Sequence, residues 1–199
     1  NADALQKATV QTFHKLFSRL QEASGIAPQI CPVMILSGNT TMIHFLLKLN
    51  AWTVFAAPFA PVCSDPGFFW GQELGFDFPG LVYLFPAASN YVGGDIISGL
   101  LVLDIHKKEE TSLFFDIGTN GEMVLGNKNR RIACSTAAGP AFEGAGISMG
   151  MSGRVGAIDR VWVTDGEIQA HVIGETDPVG LCGSGLVDAV AALLDTELL

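Results

Sequence analysis

Positive charge is scarce in this chain. Lys and Arg number 11 against 20 Asp and Glu, which leaves a net charge of −9. A nucleic-acid-binding face needs clustered cations, and the sequence displays no basic run, so small molecules or another protein are the expected partners. Cysteine is sparse as well. Cys31, Cys63, Cys134 and Cys182 are widely separated and form no C-x-x-C pair. That spacing disfavours a metal or cluster site built by this segment, and it predicts reduced, mostly buried thiols in a cytoplasmic protein. His14, His44, His106 and His171 are isolated from one another and read as surface or core residues rather than ligands. No apolar run reaches the roughly 18 residues that a membrane-spanning helix requires, and no signal peptide is visible.

What the chain has is apolar residues and glycine. Of 199 residues, 49% are hydrophobic and 23 are glycine. The length suits one large or two small domains with a substantial core. Asn1 or Asp3 is placed to cap a helix running to about Ala23, with Leu5, Phe13, Leu16, Phe17 and Leu20 as its apolar stripe and Gly25 as its stop. Residues 30–36 read as a buried strand. Ser37, Gly38, Asn39 and Thr40 then form a turn that caps a second helix carrying Met42, Ile43, Phe45, Leu46 and Leu49. A strand, a glycine turn and a helix make an α/β unit whose turn faces a ligand crevice or is simply capped. Residues 51–79 are rich in Pro, Gly and aromatics without periodicity and read as an irregular excursion that covers the core or presents a partner surface. After a short strand at 81–85, Gly93 and Gly94 precede Asp95 at the start of an apolar helix. Asp95 is either an N-cap, worth about 1 kcal/mol, or a carboxylate aimed into a cleft. Residues 105–111 form a polar surface turn and a plausible boundary between lobes.

The most informative stretch is LFFDIGTNGEMVLG at 113–126. An apolar strand ends in Asp116, a glycine turn follows, and a second apolar strand leaves. Gly118 and Gly121 are expected to relieve the backbone, with Thr119 and Asn120 beside exposed N–H groups. Such a turn holds a phosphate, with the carboxylate orienting Mg²⁺ through water, or it is only an Asn-Gly hairpin turn. A third strand is expected at 131–134. It leads into a loop of small residues, with Pro140 suited to a helix's first turn. Strands at 155–163 and 168–173 pair through Asp165 and Gly166. Gly183, Ser184 and Gly185 open a last helix, and a glycine loop there is a ready anion site. Together these elements predict mixed sheets with helices packed on them.

DIGTNGE at 116–122, STAAGPAFEGAGI at 135–147 and GLCGSGLVDAVAALL at 180–194 resemble the reductive activators of corrinoid proteins. SGNTTMIHFLL at 37–47 and VGGD at 92–95 fit the same pattern. These activators belong to the acetate and sugar kinase, heat-shock chaperone and actin (ASKHA) superfamily of ATPases. The resemblance covers nearly the whole chain. It implies an α/β fold of RNase-H-like lobes, with 1–108 as the C-terminal part of the first lobe and 109–199 as the N-terminal part of the second. It also implies ATP and Mg²⁺ as cofactors, a corrinoid protein as client, and a [2Fe–2S] cluster in an upstream domain that this chain does not contain. A homodimer is left open. By this resemblance, Asp116 holds Mg²⁺ or the attacking water indirectly. Gly118, Thr119, Asn120 and Gly121 supply donors to the phosphates, and Glu122 stabilises the turn or touches the metal shell. Gly139 and Pro140 line the nucleotide cleft, Gly183, Ser184 and Gly185 stand near the nucleotide, and Asp95 organises water or metal.

The first phosphate hairpin and the adenosine segment of the family have no counterpart in these residues. The expectation is a central fragment that binds ATP weakly or not at all, which isothermal titration would overturn by finding micromolar, Mg²⁺-dependent affinity. Two other readings stay open. A sugar or acid kinase of the same superfamily would yield a phosphorylated metabolite, whereas an activator releases phosphate. A non-catalytic module would dock a partner through 51–79 and keep nucleotide turnover after Asp116→Ala.

Overall fold

The computed structural model describes residues 2–140 and 144–199. The expected cap Asn1 and the loop residues Ala141, Phe142 and Glu143, onto which the helix expected at Pro140 would run, lie outside the described residues. The chain divides into two units, 1–114 with 122–135, and 115–121 with 136–199.

The first unit begins with helix α1 (Ala2–Ser24). It ends where Gly25 turns left-handed, φ +71°, and gives its N–H to the Gln21 carbonyl. The buried stripe differs from the expected one. Val10, Phe13 and Phe17 meet the core and Gln6 is buried with them, whereas Leu5, Leu16 and Leu20 are exposed. Gln6 tolerates burial because its amide donates to the Leu74 carbonyl at 3.1 Å. Strand β1 (Val33–Leu36), helix α2 (Thr40–Leu46) and a short helix α3 (Trp52–Phe55) follow. Asn39 caps α2 as expected, accepting from Met42 N at 2.9 Å.

The excursion at 51–79 is more regular than its composition suggested. Besides α3 it holds strand β2 (Gly67–Trp70) and a 3₁₀ turn at Gly71–Leu74. Strand β3 (Leu81–Leu84) completes a sheet ordered β1-β3-β2, parallel between β1 and β3 and antiparallel between β2 and β3. Val54, Leu74, Phe76 and Phe78 enter the core, while Trp52, Phe55, Phe59, Phe68 and Trp70 stay exposed. Of the segment's eight aromatics, Phe76 and Phe78 are buried and Phe69 packs partly on the core, so covering the core describes the smaller part of them. Phe76 packs against Phe13 with ring centroids 5.0 Å apart, which joins α1 to the excursion.

Helix α4 (Gly94–Val102) lies against the bases of β4 (Ser112–Ile117) and β5 (Asn120–Gly126) through Val92, Ile96, Leu100, Phe114 and Val124. Gly99 sits where a Cβ would reach 3.0 Å from the Phe114 ring, so the small residue sets the close approach. Strand β6 (Arg131–Ala137) pairs with β5 to give the order β4-β5-β6. The grouping changes within this hairpin: residues 115–121 at its tip fall in the second unit. Cys182 is buried, but Cys31 and Cys63 are half-buried and Cys134 on β6 is exposed, so the thiols are not mostly buried.

In the second unit β7 (Ala157–Thr164) and β8 (Glu167–Val172) form an antiparallel hairpin. Asp165 and Gly166 both have positive φ (54° and 81°), the twist that a two-residue hairpin turn favours. A short strand β9 (Gly180–Leu181), absent from the sequence reading, pairs parallel to β7 and leads into helix α5 (Gly183–Asp195).

Candidate functional site

The hairpin at 116–122 places a carboxylate and a turn in solvent. Asp116, Thr119 and Asn120 are exposed. The turn is made by Gly118 and Thr119, and Asn120 and Gly121 already belong to β5, so an Asn-Gly turn is not what closes this hairpin. Gly118 gives its N–H to the Asn120 carbonyl at 2.9 Å. That amide closes the turn in this conformation. Neither Gly118 nor Gly121 takes a positive φ, so the expected backbone relief is not why they are glycine. At Gly121 the reason is space: a Cβ would lie 3.1 Å from the Phe115 ring and 3.4 Å from Thr136 Cγ2. At Gly118 a Cβ would meet only the Asn120 carbonyl, at an ordinary 3.7 Å. Glu122 is half-buried, and Ser135 donates its hydroxyl to Glu122 Oε1 at 2.8 Å. This bond ties β5 to β6 and holds Glu122 in the sheet.

Thr136 places the end of β6 beside Gly121, and the small-residue loop starts there. Gly139 has φ +81° with open space where a Cβ would stand, and Pro140 is exposed. Gly139 is half-buried.

The CGSG loop is a helix start held by β7. Cys182 is the N-cap residue of α5, and its N–H donates to the Ile158 carbonyl at 3.0 Å. No side chain caps α5. The start of α5 is the positive end of a helix of 13 residues. Gly183 and Gly185 are buried and Ser184 is exposed, its hydroxyl 3.3 Å from Cys182 Sγ. Gly185 is required by packing, because a Cβ there would come within 2.3 Å of the Ile158 oxygen.

In the first unit a second arrangement gathers at the carboxyl ends of the parallel strands β1 and β3. Gly94 N–H donates to the Gly38 carbonyl at 3.0 Å, and a Cβ on Gly93 would lie 2.6 Å from Asn39 Cα. The starts of α2 and α4 therefore touch through glycine. Asp95 stands here, half-buried in the first turn of α4. The N-cap is Gly93, and Asp95 Oδ1 accepts instead from Ile96 N at 3.0 Å. This is the crevice position of open α/β sheets. Asp95 belongs to the first unit and Asp116 to the second.

Two side-chain arrangements here carry no local signal in the sequence. His44 is fully buried; its Nδ1 lies 2.7 Å from the Thr40 carbonyl and its Nε2 accepts from Val62 N at 3.0 Å. The two bonds require one neutral tautomer, a donor at Nδ1 and an acceptor at Nε2. Asp159 sits at the register shift of β7, and its carboxylate bonds His171 Nδ1 on β8. The His171 hydrogen bond holds the Asp159 carboxyl below its ordinary value of 3.8. Only the strand register brings these two residues together, and no local motif announces it.

A single exposed carboxylate at the end of a strand, beside a glycine turn, fits Mg²⁺ bound through water, since that ion commonly takes one or two carboxylates and completes its shell with substrate oxygens. Among the described residues no group of three or more His, Cys, Asp or Glu converges to hold a metal. A resident iron–sulfur cluster therefore does not fit these residues. No helix among the described residues is long and apolar enough to cross a membrane.

Residues 1–108 match the family described as the RACo middle region, and residues 110–199 match the family described as the C-terminal domain of RACo, the ASKHA domain. A protein of Eubacterium limosum, corrinoid activation enzyme RamQ, is 38% identical over 202 residues, covering 95% of this chain and 34% of the relative. The [Co(II) methylated amine-specific corrinoid protein] reductase of Methanosarcina barkeri is 35% identical over 136 residues, covering 57% of this chain and 25% of the relative. A solved structure titled reductive activator for corrinoid, iron-sulfur protein superposes with TM-score 0.83 at 40% identity, covering 96% of this chain and 31% of that one. The chain thus spans about a third or less of the length of the relatives it matches.

Proposed function

The chain belongs to the RACo family, with the mixed α/β, ASKHA-type fold of that family, and on that premise we propose that it supplies the second phosphate-binding hairpin of an ATP-dependent activator that returns a corrinoid protein to cobalt(I). The observation that carries this reading is the solvent-facing Asp116 carboxylate at the end of β4, next to the turn at Gly118 and Thr119. In the second unit the uncapped start of α5 adds backbone donors suited to an anion.

ATP, when bound with Mg²⁺, would supply the free energy for the uphill reduction of cobalt(II). The residues of this chain would do the positioning. Asp116 would orient metal-bound water. Thr119 and Asn120 would offer polar groups to the phosphates, and Gly121 would keep the Phe115 ring close beneath the turn. Glu122, held by Ser135, would stiffen the hairpin rather than reach the metal. Nucleotide-dependent states of the activator can shift the cobalt equilibrium only by their difference in affinity for its two forms. The electron itself would come from a cluster-bearing domain elsewhere in the full-length protein.

The test is Asp116→Asn in the full-length protein. The expected result is a fall in ATP turnover of at least about a hundredfold, with stability within about 0.5 kcal/mol because the residue is exposed. Unchanged turnover would remove the hairpin from the mechanism.

A further inference from the structure

We infer that the corner formed by residues 101–108 and the turn at 127–131 is the surface on which an acidic face of the client corrinoid protein docks; this rests on the activator reading above. The chain carries 11 Lys and Arg, and five of them, Lys107, Lys108, Lys128, Arg130 and Arg131, occur in these two segments. All five are exposed. The fold joins the segments directly, since Lys128 N–H donates to the Lys108 carbonyl at 2.8 Å and the Lys128 ammonium pairs with Glu109. The Arg131 guanidinium donates to the Asn127 carbonyl at 3.0 Å, which fixes the turn. With Asp104, Glu109 and Glu110 nearby, the corner has five cations against three carboxylates, leaving six cations against seventeen carboxylates elsewhere.

An acidic protein approaching this chain is therefore repelled over most of its surface and attracted here, which steers and orients encounter. The corner also has an apolar element. Leu101, Val102 and Leu103, at the end of α4, are exposed, Val102 at 84%. Exposed apolar side chains close in sequence to Lys107 and Lys108 add contact area that charge alone does not supply. The interspersed carboxylates argue against a nucleic acid, which would meet repulsion at each of them.

The experiment measures the affinity of the full-length protein for a methylated-amine-specific corrinoid protein in the cobalt(II) state, at about 50 and about 300 mM salt. Lys108→Glu with Arg130→Glu should weaken binding about tenfold at low salt and flatten the salt dependence. Glu110→Lys should tighten binding a few-fold. Lys7→Glu with Lys15→Glu on α1 makes the same change in net charge at another exposed site and should have little effect. Equal affinities for wild type and the corner variant, or an equal loss in the α1 variant, would overturn the docking site while leaving the client reading intact. A wild-type protein that does not bind the probe at either salt would overturn both.

Discussion

Gly185→Ala should destabilise the protein, although helix propensity alone predicts the opposite. Gly185 lies inside α5 with ordinary helical backbone, where replacing Gly by Ala is worth about 1 kcal/mol in favour of the helix. The new methyl would stand 2.3 Å from the Ile158 oxygen, 2.9 Å from its carbon and 3.0 Å from Leu181 Cδ1. Two of these atoms are backbone in β7 and cannot rotate away. Relief requires α5 and β7 to separate by about 1 Å, an overpacking cost of about 1–3 kcal/mol. The same separation strains the bond from Cys182 N–H to the Ile158 carbonyl, worth about 1 kcal/mol. The balance is a net loss of about 2 kcal/mol, which lowers the melting temperature by about 4–8 °C in a chain of this size. Urea denaturation of wild type, Gly185→Ala and Gly118→Ala tests it. The Gly118 variant is the control, because its methyl would find an ordinary 3.7 Å contact and should move the midpoint little. A Gly185→Ala protein as stable as wild type would mean that the start of α5 is not held against β7 as described.

Two further outcomes follow from the buried and paired groups. His44→Ala would leave the Val62 N–H without its acceptor and open a cavity, costing about 2–4 kcal/mol, and hydrogen exchange at the Val62 amide should rise sharply; unchanged protection there would refute the clamp. Asp159 has a folded-state pKa lowered by His171, so its contribution to stability is fully present above the ordinary value of 3.8 and is lost as pH falls through the lower folded value. Wild type should therefore lose more stability than Asp159→Asn between about pH 5 and about pH 3, and parallel acid profiles would show that the pair contributes nothing.

Elements set by local rules were legible, and those set by partners were not. The Gly25 stop, the Asn39 cap and the Asp165-Gly166 turn depend on the conformational preferences of one or two residues, and each stands where the sequence puts it. The stripe of α1 is legible only in part: Phe13 and Phe17 face the core as expected, whereas Leu5, Leu16 and Leu20 do not. The helix buries Gln6, Val10, Phe13 and Phe17, and a polar residue joins the stripe because the carbonyl of distant Leu74 satisfies it. Strand β2 was hidden because its turn residues resemble an irregular loop until β3 offers a ladder. The thiol prediction failed on β6, where Cys134 stands exposed.

The candidate site shows the same division. The exposed position of Asp116 near the end of β4 was legible because an acid ending an apolar strand before a glycine turn is a local pattern. The reasons for the neighbouring glycines were not local: Gly121 answers to Phe115 and Thr136, and Gly185 answers to Ile158, contacts that only tertiary structure supplies. No basic run shows along the sequence, because the five clustered cations lie in two segments about twenty residues apart in an acidic chain. One backbone bond, from Lys128 to Lys108, gathers them. A charge reading made along the chain averages such a corner away, whereas an acidic partner meets it as a local field. An equal change in net charge made at the corner and on α1 therefore separates a local field from the overall charge.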